Sequence, residues 1–355
     1  MNTQRISRVR EEMKQHSFDQ LVITSPDSIF YLTGIDIHPG ERLFALLIDQ
    51  ERCHLFLSAL FPLKEETLPV TYFTDDVDSI ELLSKSIIDQ GVIGIDKFWE
   101  SHFLLRLMKI KNNLSYEIGS IAVDNCRLTK DEDEREKMRH ASKLNDEIMS
   151  EIISYIYNEA PNGNLTELKV QNQIKKLHED KGIHELSFTP SVCFGANGAE
   201  PHHDCDDTVL KEGMAVVIDM GGKVNGYCSD MTRSFFYGDA TEAYTKVYNL
   251  VKAANEAAIK AVKPGVKLSD VDKAAREIIE NAGYGAYFTH RTGHGIGIQV
   301  HEFPDVSSVS QNTCLTGMTF SIEPGIYLKD QFGVRIEDLV LVTEEGVEVL
   351  NRFMK

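Results

Sequence analysis

Four carboxylates and one imidazole stand in stretches too apolar or too glycine-rich to leave them in solvent, and this narrows what the chain can fold into. Asp219 lies in Val216-Val217-Ile218-Asp219-Met220-Gly221, and Asp230 in Cys228-Ser229-Asp230-Met231-Thr232-Arg233. His294 stands in Thr292-Gly293-His294-Gly295-Ile296-Gly297, which reads as a loop needing glycine on both sides. Glu323 opens Glu323-Pro324-Gly325, and Glu337 closes Arg335-Ile336-Glu337. A glycine-rich turn separates Asp219 from Asp230, so neighbouring antiparallel strands would aim both at one point, and Glu323 and Glu337 repeat the arrangement. Buried carboxylates brought together repel, at a cost of roughly several kcal/mol each unless a cation compensates. Two divalent metal ions would do so. A donor set dominated by oxygen, with one imidazole, suits manganese first, with cobalt, iron or zinc as alternatives. Singly, each residue reads as a turn or a solvated side chain; jointly they point to a metal centre.

The bulk properties restrict the setting. The 355 residues are enough for two domains, and 42% hydrophobic residues supply a sizeable core. A net charge of -18, from 55 acidic against 37 basic residues, argues against nucleic acid or an anionic membrane as partner. No apolar run approaches the roughly 20 residues a membrane helix requires. Ile6, Val9 and Met13 recur at helical spacing among Arg5, Arg8 and Arg10, which reads as an amphipathic helix over 2–17 and not a signal peptide. Cys53, Cys126, Cys193, Cys205, Cys228 and Cys314 show no paired spacing and are expected to be reduced thiols in a cytoplasmic protein.

Along residues 1–124 short apolar runs alternate with helical patterns. Strands are expected at Leu21–Thr24, Leu43–Ile48, His54–Leu57, Val70–Phe73 and Val92–Asp96, with a turn or helix from Pro26 to near Gly34 and a helix over Ser79–Ile88. This predicts an α/β domain. A boundary is placed at 124/125, and Thr129, with Glu132 three residues on, is read as the cap of a long helix. A second helix is expected from Leu165 to Lys181. Residues 125–355 then read as helices, a strand hairpin, two further helices at 242–262 and 268–281, and a second hairpin made of Thr319–Ile322 and Val334–Val342. Gly221–Gly226 is read as the first hairpin's turn. The second half is expected to be an α+β domain.

These motifs resemble the pita-bread metallopeptidases, which include methionine aminopeptidases, aminopeptidase P and prolidase. The resemblance covers essentially the whole chain, with a creatinase/prolidase-type N-terminal domain at 1–124 and a pita-bread catalytic domain at 125–355. It implies that Asp219, Asp230, His294, Glu323 and Glu337 hold two metal ions, with Asp230 and Glu337 shared between them. Creatinase-like relatives keep the fold without these ligands, whereas this chain has them all.

Further residues match the proline-specific branch. His202 in Pro201-His202-His203 resembles a substrate-pocket histidine, while His203 reads as structural. His290 and His301 resemble the histidines that flank the scissile bond. The resemblance gives Glu323 the handling of the proton. Arg335 lies two residues before Glu337, hence on the same strand face, and is placed to keep a ligand carboxylate ionised. The segment Asp36-Ile37-His38-Pro39-Gly40-Glu41-Arg42 resembles a loop of lactic-acid-bacterial prolidases, homodimers in which it reaches the partner's active site; Gly40 departs from that pattern as an insertion. His38, Arg42 and Arg291 are the candidate cations for a substrate carboxylate. The resemblance implies hydrolysis of the bond before proline in Xaa-Pro dipeptides, with aminopeptidase P activity on longer Xaa-Pro peptides, or a catalytically inactive binding protein on the same scaffold, as alternatives.

Overall fold

The computed structural model describes residues 1–355, which divide into two units, Met1–Arg127 and Leu128–Lys355. The division falls slightly beyond the expected 124/125, because a helix runs through that position.

The first unit contains α1 (Thr3–Gln15), β1 (Gln20–Ile23), α2 (Pro26–Thr33), β2 (Ala45–Ile48), β3 (Cys53–Ser58), β4 (Val70–Phe73), α3 (Ser79–Ser84), β5 (Gly91–Ile95), α4 (Ser101–Ile110), β6 (Leu114–Ile118) and α5 (Ser120–Leu128). The strands form one mixed sheet in the order β4-β3-β2-β1-β5-β6. Helix α1 starts where the Asn2 side chain accepts from the Arg5 N–H, and it buries Ile6, Val9 and Met13. Helix α2 is bounded by Ser25 as N-cap and by Gly34, whose φ of 77° suits glycine and ends the helix. Val22, Leu47, Phe56, Ile93 and Leu107 are buried together. Each such side chain contributes about 1.5–3 kcal/mol on leaving water.

The helix from Ser79 stops at Ser84; Ile87 reaches the core from the turn that follows, so its helical spacing from Leu83 misleads. Residues 97–124, left unassigned in the sequence reading, hold α4, β6 and most of α5. Leu105, Met108 and Ile118 are exposed there, which blurs the apolar periodicity.

The second unit opens with α6 (Glu132–Glu159) and α7 (Glu167–Asp180). The cap of α6 is Asp131, not Thr129: Asp131 accepts from the Glu134 N–H while the Glu134 carboxylate accepts from the Asp131 N–H. Thr129 is already engaged in a strand bridge with Met318. Strands β7 (Glu185–Leu186), β8 (Ser191–Phe194), β9 (Met214–Met220), β10 (Gly222–Val224), β11 (Tyr227–Cys228) and β12 (Met231–Tyr237) follow, with sheet orders β12-β9-β8 and β11-β10-β7. The expected turn Gly221–Gly226 is largely strand β10, and the chain reverses only at Asn225 and Gly226, at φ 51° and 81°.

Helices α8 (Glu242–Ala261) and α9 (Leu268–Asn281) lead into β13 (Gly293–Gly295), β14 (Glu302–Val306), β15 (Thr319–Ile322), β16 (Gly325–Leu328), β17 (Phe332–Arg335), β18 (Asp338–Val342) and β19 (Val347–Val349). Five of these form a sheet ordered β14-β13-β15-β18-β19, and β16 pairs with β17 as a hairpin. The single strand expected over Val334–Val342 is therefore two. Between them Ile336 donates to the Pro324 carbonyl and Glu337 to the Thr232 carbonyl, so the chain changes sheets at Glu337. Helices α8 and α9 share one core with β15 and β18, which includes Val251, Ala254, Val271, Phe320 and Val340, and α6 and α7 share another with β8 and β9, which includes Ile148, Ile152, Ile174 and Val216.

Candidate metal centre

All five expected ligands line one cavity of about 690 Å3. Asp219 stands near the end of β9 and pairs in register with Thr232, just past Asp230. Glu323 follows β15 and Glu337 precedes β18, two antiparallel strands that register Ile322 against Asp338. The two strand pairs therefore deliver four carboxylates to one point.

His294 lies on the short strand β13 and not in a loop. Its flanking glycines serve close approach. A Cβ on Gly293 would stand 1.8 Å from the Ser321 carbonyl oxygen, and one on Gly295 would stand 2.8 Å from the carbonyl oxygens of Glu302 and Phe303. The His294 Nδ1 faces the Gly295 carbonyl at 3.1 Å, so Nδ1 carries the proton and Nε2 keeps its lone pair for the cavity. That Nε2 lies 3.3 Å from Glu323 Oε1 and 3.8 Å from Asp230 Oδ2. Ligand atoms of Asp230, His294 and Glu337, all buried, fall within 4.8 Å of one another.

The electrostatics describe a cluster short of positive charge. Burial, then repulsion from Glu337, Asp219 and Glu323, pushes the Asp230 carboxyl well above its ordinary range. Burial, then Glu323 and Asp219, does the same to Glu337. Burial also raises Glu323, against the pull of His290 and Arg335. Burial holds His294 down at about 4 and lowers His290 and His301. Asp219 Oδ1 and Asp230 Oδ1 are buried without a hydrogen-bond partner. Orphaned carboxylate oxygens beside an unprotonated imidazole nitrogen are what a divalent cation would satisfy, so these residues fit a metal centre.

A ring of supporting groups surrounds the ligands. Arg335 Nη2 donates to Asp219 Oδ2 at 2.7 Å, Nε to Thr232 Oγ1 at 3.1 Å and Nη1 to the Tyr327 hydroxyl at 3.2 Å. Arg335 thus reaches Asp219 and not Glu337, its neighbour in sequence, because the chain changes sheets between them. Burial opposes its charge, but Tyr327, Asp219 and Glu323 outweigh this and keep it protonated. Glu337 instead accepts from Thr232 Oγ1 at 2.8 Å. Ser321 Oγ accepts from the His294 N–H at 3.0 Å and donates to Glu323 Oε1 at 3.2 Å.

His202, His290 and His301 line the cavity too. The Nδ1 of His290 donates to the Arg291 carbonyl at 2.7 Å, so its Nε2 accepts from the Tyr327 hydroxyl at 2.8 Å. The His301 ring meets that of His294 edge-on at 4.3 Å. His203 turns to Glu167, which also accepts from the N–H groups of Phe194 and Asp206 and so anchors the loop that carries His202. Arg291 lines the cavity while paired with Asp305 at 2.5 Å. His38 and Arg42 belong to the first unit. There Arg42 forks onto Asp75 with two contacts of 2.9 Å, and His38 is exposed. Thr232, Ser321 and Tyr327 escaped the sequence reading. In the structure the Tyr327 hydroxyl occupies the space that a Cβ on Gly325 would need, at 2.5 Å.

Metallopeptidase family M24 matches residues 136–344, and the creatinase/prolidase N-terminal domain matches residues 5–128. The chain belongs to metallopeptidase family M24. An uncharacterized peptidase of Staphylococcus aureus is 36% identical over 360 residues, covering 99% of each chain. A crystal structure of a dipeptidase from Pyrococcus horikoshii superposes with a TM-score of 0.93 at 33% identity, over 99% of this chain and 98% of that one. A recombinant prolidase from Thermococcus sibiricus gives 0.93 at 31% identity, over 100% and 98%. The assignment makes the chain an M24 metallopeptidase in which a creatinase-type N-terminal domain is followed in sequence by a pita-bread catalytic domain. No helix is long and apolar enough to cross a membrane.

Proposed function

We propose that this M24 peptidase hydrolyses the bond before proline in Xaa-Pro dipeptides, using two divalent ions held by Asp219, Asp230, His294, Glu323 and Glu337. The observation that carries this reading is the convergence of His202, His290 and His301 on the cavity that holds the five ligands. Solved relatives named as a dipeptidase and a prolidase support it. An Xaa-Pro bond has no amide hydrogen, so a peptidase that grips that N–H cannot use it. The departing proline nitrogen must instead be given a proton.

Bound divalent ions would polarise the scissile carbonyl and make hydroxide available at neutral pH. Glu323 is the proton carrier: it faces the cavity beside His294 Nε2 and accepts from Ser321 Oγ at 3.2 Å. His301, lowered by burial, is a hydrogen-bonding group for the reacting carbonyl or the leaving nitrogen, and His290 joins it by exchanging its Tyr327 contact for the substrate. Manganese is the favoured metal for this oxygen-rich set. Arg291, His38 and Arg42 are the candidate partners of the substrate carboxylate, the last two through a homodimer in which the loop Asp36–Arg42 serves the partner's site.

The test is hydrolysis of Ala-Pro and Ala-Pro-Ala with manganese, cobalt and zinc. A higher kcat/KM on Ala-Pro is expected. Preference for Ala-Pro-Ala would make the protein an aminopeptidase, and no hydrolysis at any metal loading would make it a binding protein on the M24 scaffold.

A further inference from the structure

The backbone that carries three of the five ligands is held from outside the cavity, and the holds converge on Asn351–Lys355. Asn351 is buried; its Nδ2 donates to the Asp230 carbonyl at 3.2 Å, and its Oδ1 accepts from the Leu339 N–H at 2.6 Å. One side chain thus ties the Asp230 backbone to the strand that begins just after Glu337. Arg233, also buried, donates to the Glu337 carbonyl at 2.5 Å, to Asp338 Oδ1 at 2.8 Å and to the Phe353 carbonyl at 2.8 Å. The N–H groups of Arg352 and Phe353 are taken by the Asp146 carboxylate on α6, at 2.7 and 3.0 Å.

Lys355 closes the arrangement. It pairs with the fully buried Asp338 and donates to Asn255 Oδ1. Asn255, buried mid-helix on α8, donates to the carbonyls of Ile322 and Ile336 at 2.9 and 3.3 Å. Those carbonyls immediately precede Glu323 and Glu337. A buried helical asparagine that holds two ligand-bearing strands is thus itself fixed by Lys355.

We infer that Asn351–Lys355 is a positioning strap for the metal centre, holding the backbone of Asp230, Glu323 and Glu337 at the separation a cation requires. Four mutually repelling carboxylates would otherwise spread apart, since the field of the cluster favours a wider site. Loss of the strap therefore weakens metal binding before it weakens the fold. The inference rests on the metal reading alone and not on the choice of substrate.

The experiment measures Mn2+ affinity by calorimetry, and the melting temperature of the chelator-treated protein, for wild type, Asn351→Ala, Lys355→Met and Lys355→Arg. The expected result is a dissociation constant for Mn2+ raised about 10–100-fold in Asn351→Ala and Lys355→Met. The melting temperature without metal should fall in Asn351→Ala, which orphans the buried Leu339 N–H, but change little in Lys355→Met, where Arg233 still pairs with Asp338; Lys355→Arg should recover most of the affinity. Lys355 is partly exposed, so its substitution is tolerable to the fold if Asn351→Ala proves not to be. An unchanged Mn2+ constant in folded Lys355→Met overturns the strap. So does a fall in metal-free melting temperature with affinity intact, which is the mark of simple packing. A wild-type protein that takes up no Mn2+ overturns the strap and the metal reading together. Failure on Ala-Pro with Mn2+ bound leaves the strap standing.

Discussion

Arg335 Nη2 lies 2.7 Å from Asp219 Oδ2, a buried guanidinium pinning one carboxylate of the candidate metal-binding cluster. The same guanidinium reaches Thr232 and Tyr327. It therefore holds a ligand, the threonine bonded to a second ligand and the tyrosine bonded to a cavity histidine. A lysine at 335 offers a point charge on a flexible stem and cannot span all three. Arg335→Lys is expected to lower kcat/KM on Ala-Pro by about 10–100-fold and to weaken Mn2+ binding in parallel. Full activity in this variant would show that the fork is dispensable.

Tyr327 is the second point to probe. Its hydroxyl accepts from Arg335 and donates to His290 Nε2. Tyr327→Phe keeps the ring packing and removes both contacts, which leaves the His290 ring held only through Nδ1 on the Arg291 carbonyl. The expected outcome is a fall in kcat of about tenfold or more with KM changed less, because the orientation of a group acting in the transition state is lost. A change confined to KM would assign Tyr327 to substrate binding instead.

Much of this centre was legible in the sequence because chemistry and local pattern coincided. Asp219, Asp230, His294, Glu323 and Glu337 each interrupt an apolar or glycine-rich run, and that anomaly survives without coordinates. The supporting groups carry no such anomaly. Thr232 and Ser321 are ordinary strand residues, and Asn255 sits in an ordinary amphipathic helix; only the approach of distant strands gives them partners. Arg335 shows the limit clearly. Strand alternation puts it on the face of Glu337, whereas it pairs with Asp219, because tertiary contacts at Ile336 and Glu337 move the chain to another sheet. Residues 97–124 failed for another reason: an edge strand and a helix with exposed Leu105 and Met108 lack a clean apolar face.

Metal uptake should release protons. In the metal-free protein burial and mutual repulsion keep the Asp230 and Glu337 carboxyls partly protonated above their usual pKa of about 4. A cation takes the carboxylate form, so binding expels those protons and affinity falls as pH falls. His294 adds none near neutrality, since burial leaves it unprotonated down to about 4. The corresponding stability effects oppose one another. The raised carboxyls stabilise the metal-free fold fully below about pH 4, and that contribution is lost as pH rises through their folded values. His294 stabilises it above about 6.5, and that contribution is lost as pH falls through about 4. Melting temperature is therefore a poor readout and proton counting a good one. Mn2+ titrations at pH 6 in buffers of different ionisation enthalpy should show net proton release; none at all would place these carboxyls in the ordinary range.

The loop Asp36–Arg42 offers a test of substrate length. Arg42 is held by its fork onto Asp75, with contacts of 2.9 Å at both Nε and Nη2, and by Nη1 on Glu41 Oε1 at 2.8 Å, so taking a substrate carboxylate means exchanging one of these contacts for it. Both partners are solvent-exposed or nearly so, and the pair itself adds little stability. Its value, on the proposed reading, lies in holding the loop as a lid that favours a substrate ending in the proline carboxylate. Replacing 36–42 by a glycine turn should lower hydrolysis of Ala-Pro while sparing or raising that of Ala-Pro-Ala. Arg42→Ala should move the same ratio in the same direction by a smaller factor, because one cation is lost and the loop remains. Light scattering decides how the lid acts: a dimer agrees with a loop serving the partner's site, and a monomer restricts it to its own chain. An unchanged Ala-Pro to Ala-Pro-Ala ratio in both variants would reduce the loop to a surface turn and leave Arg291, on the cavity wall beside Asp305, as the cation for the substrate carboxylate.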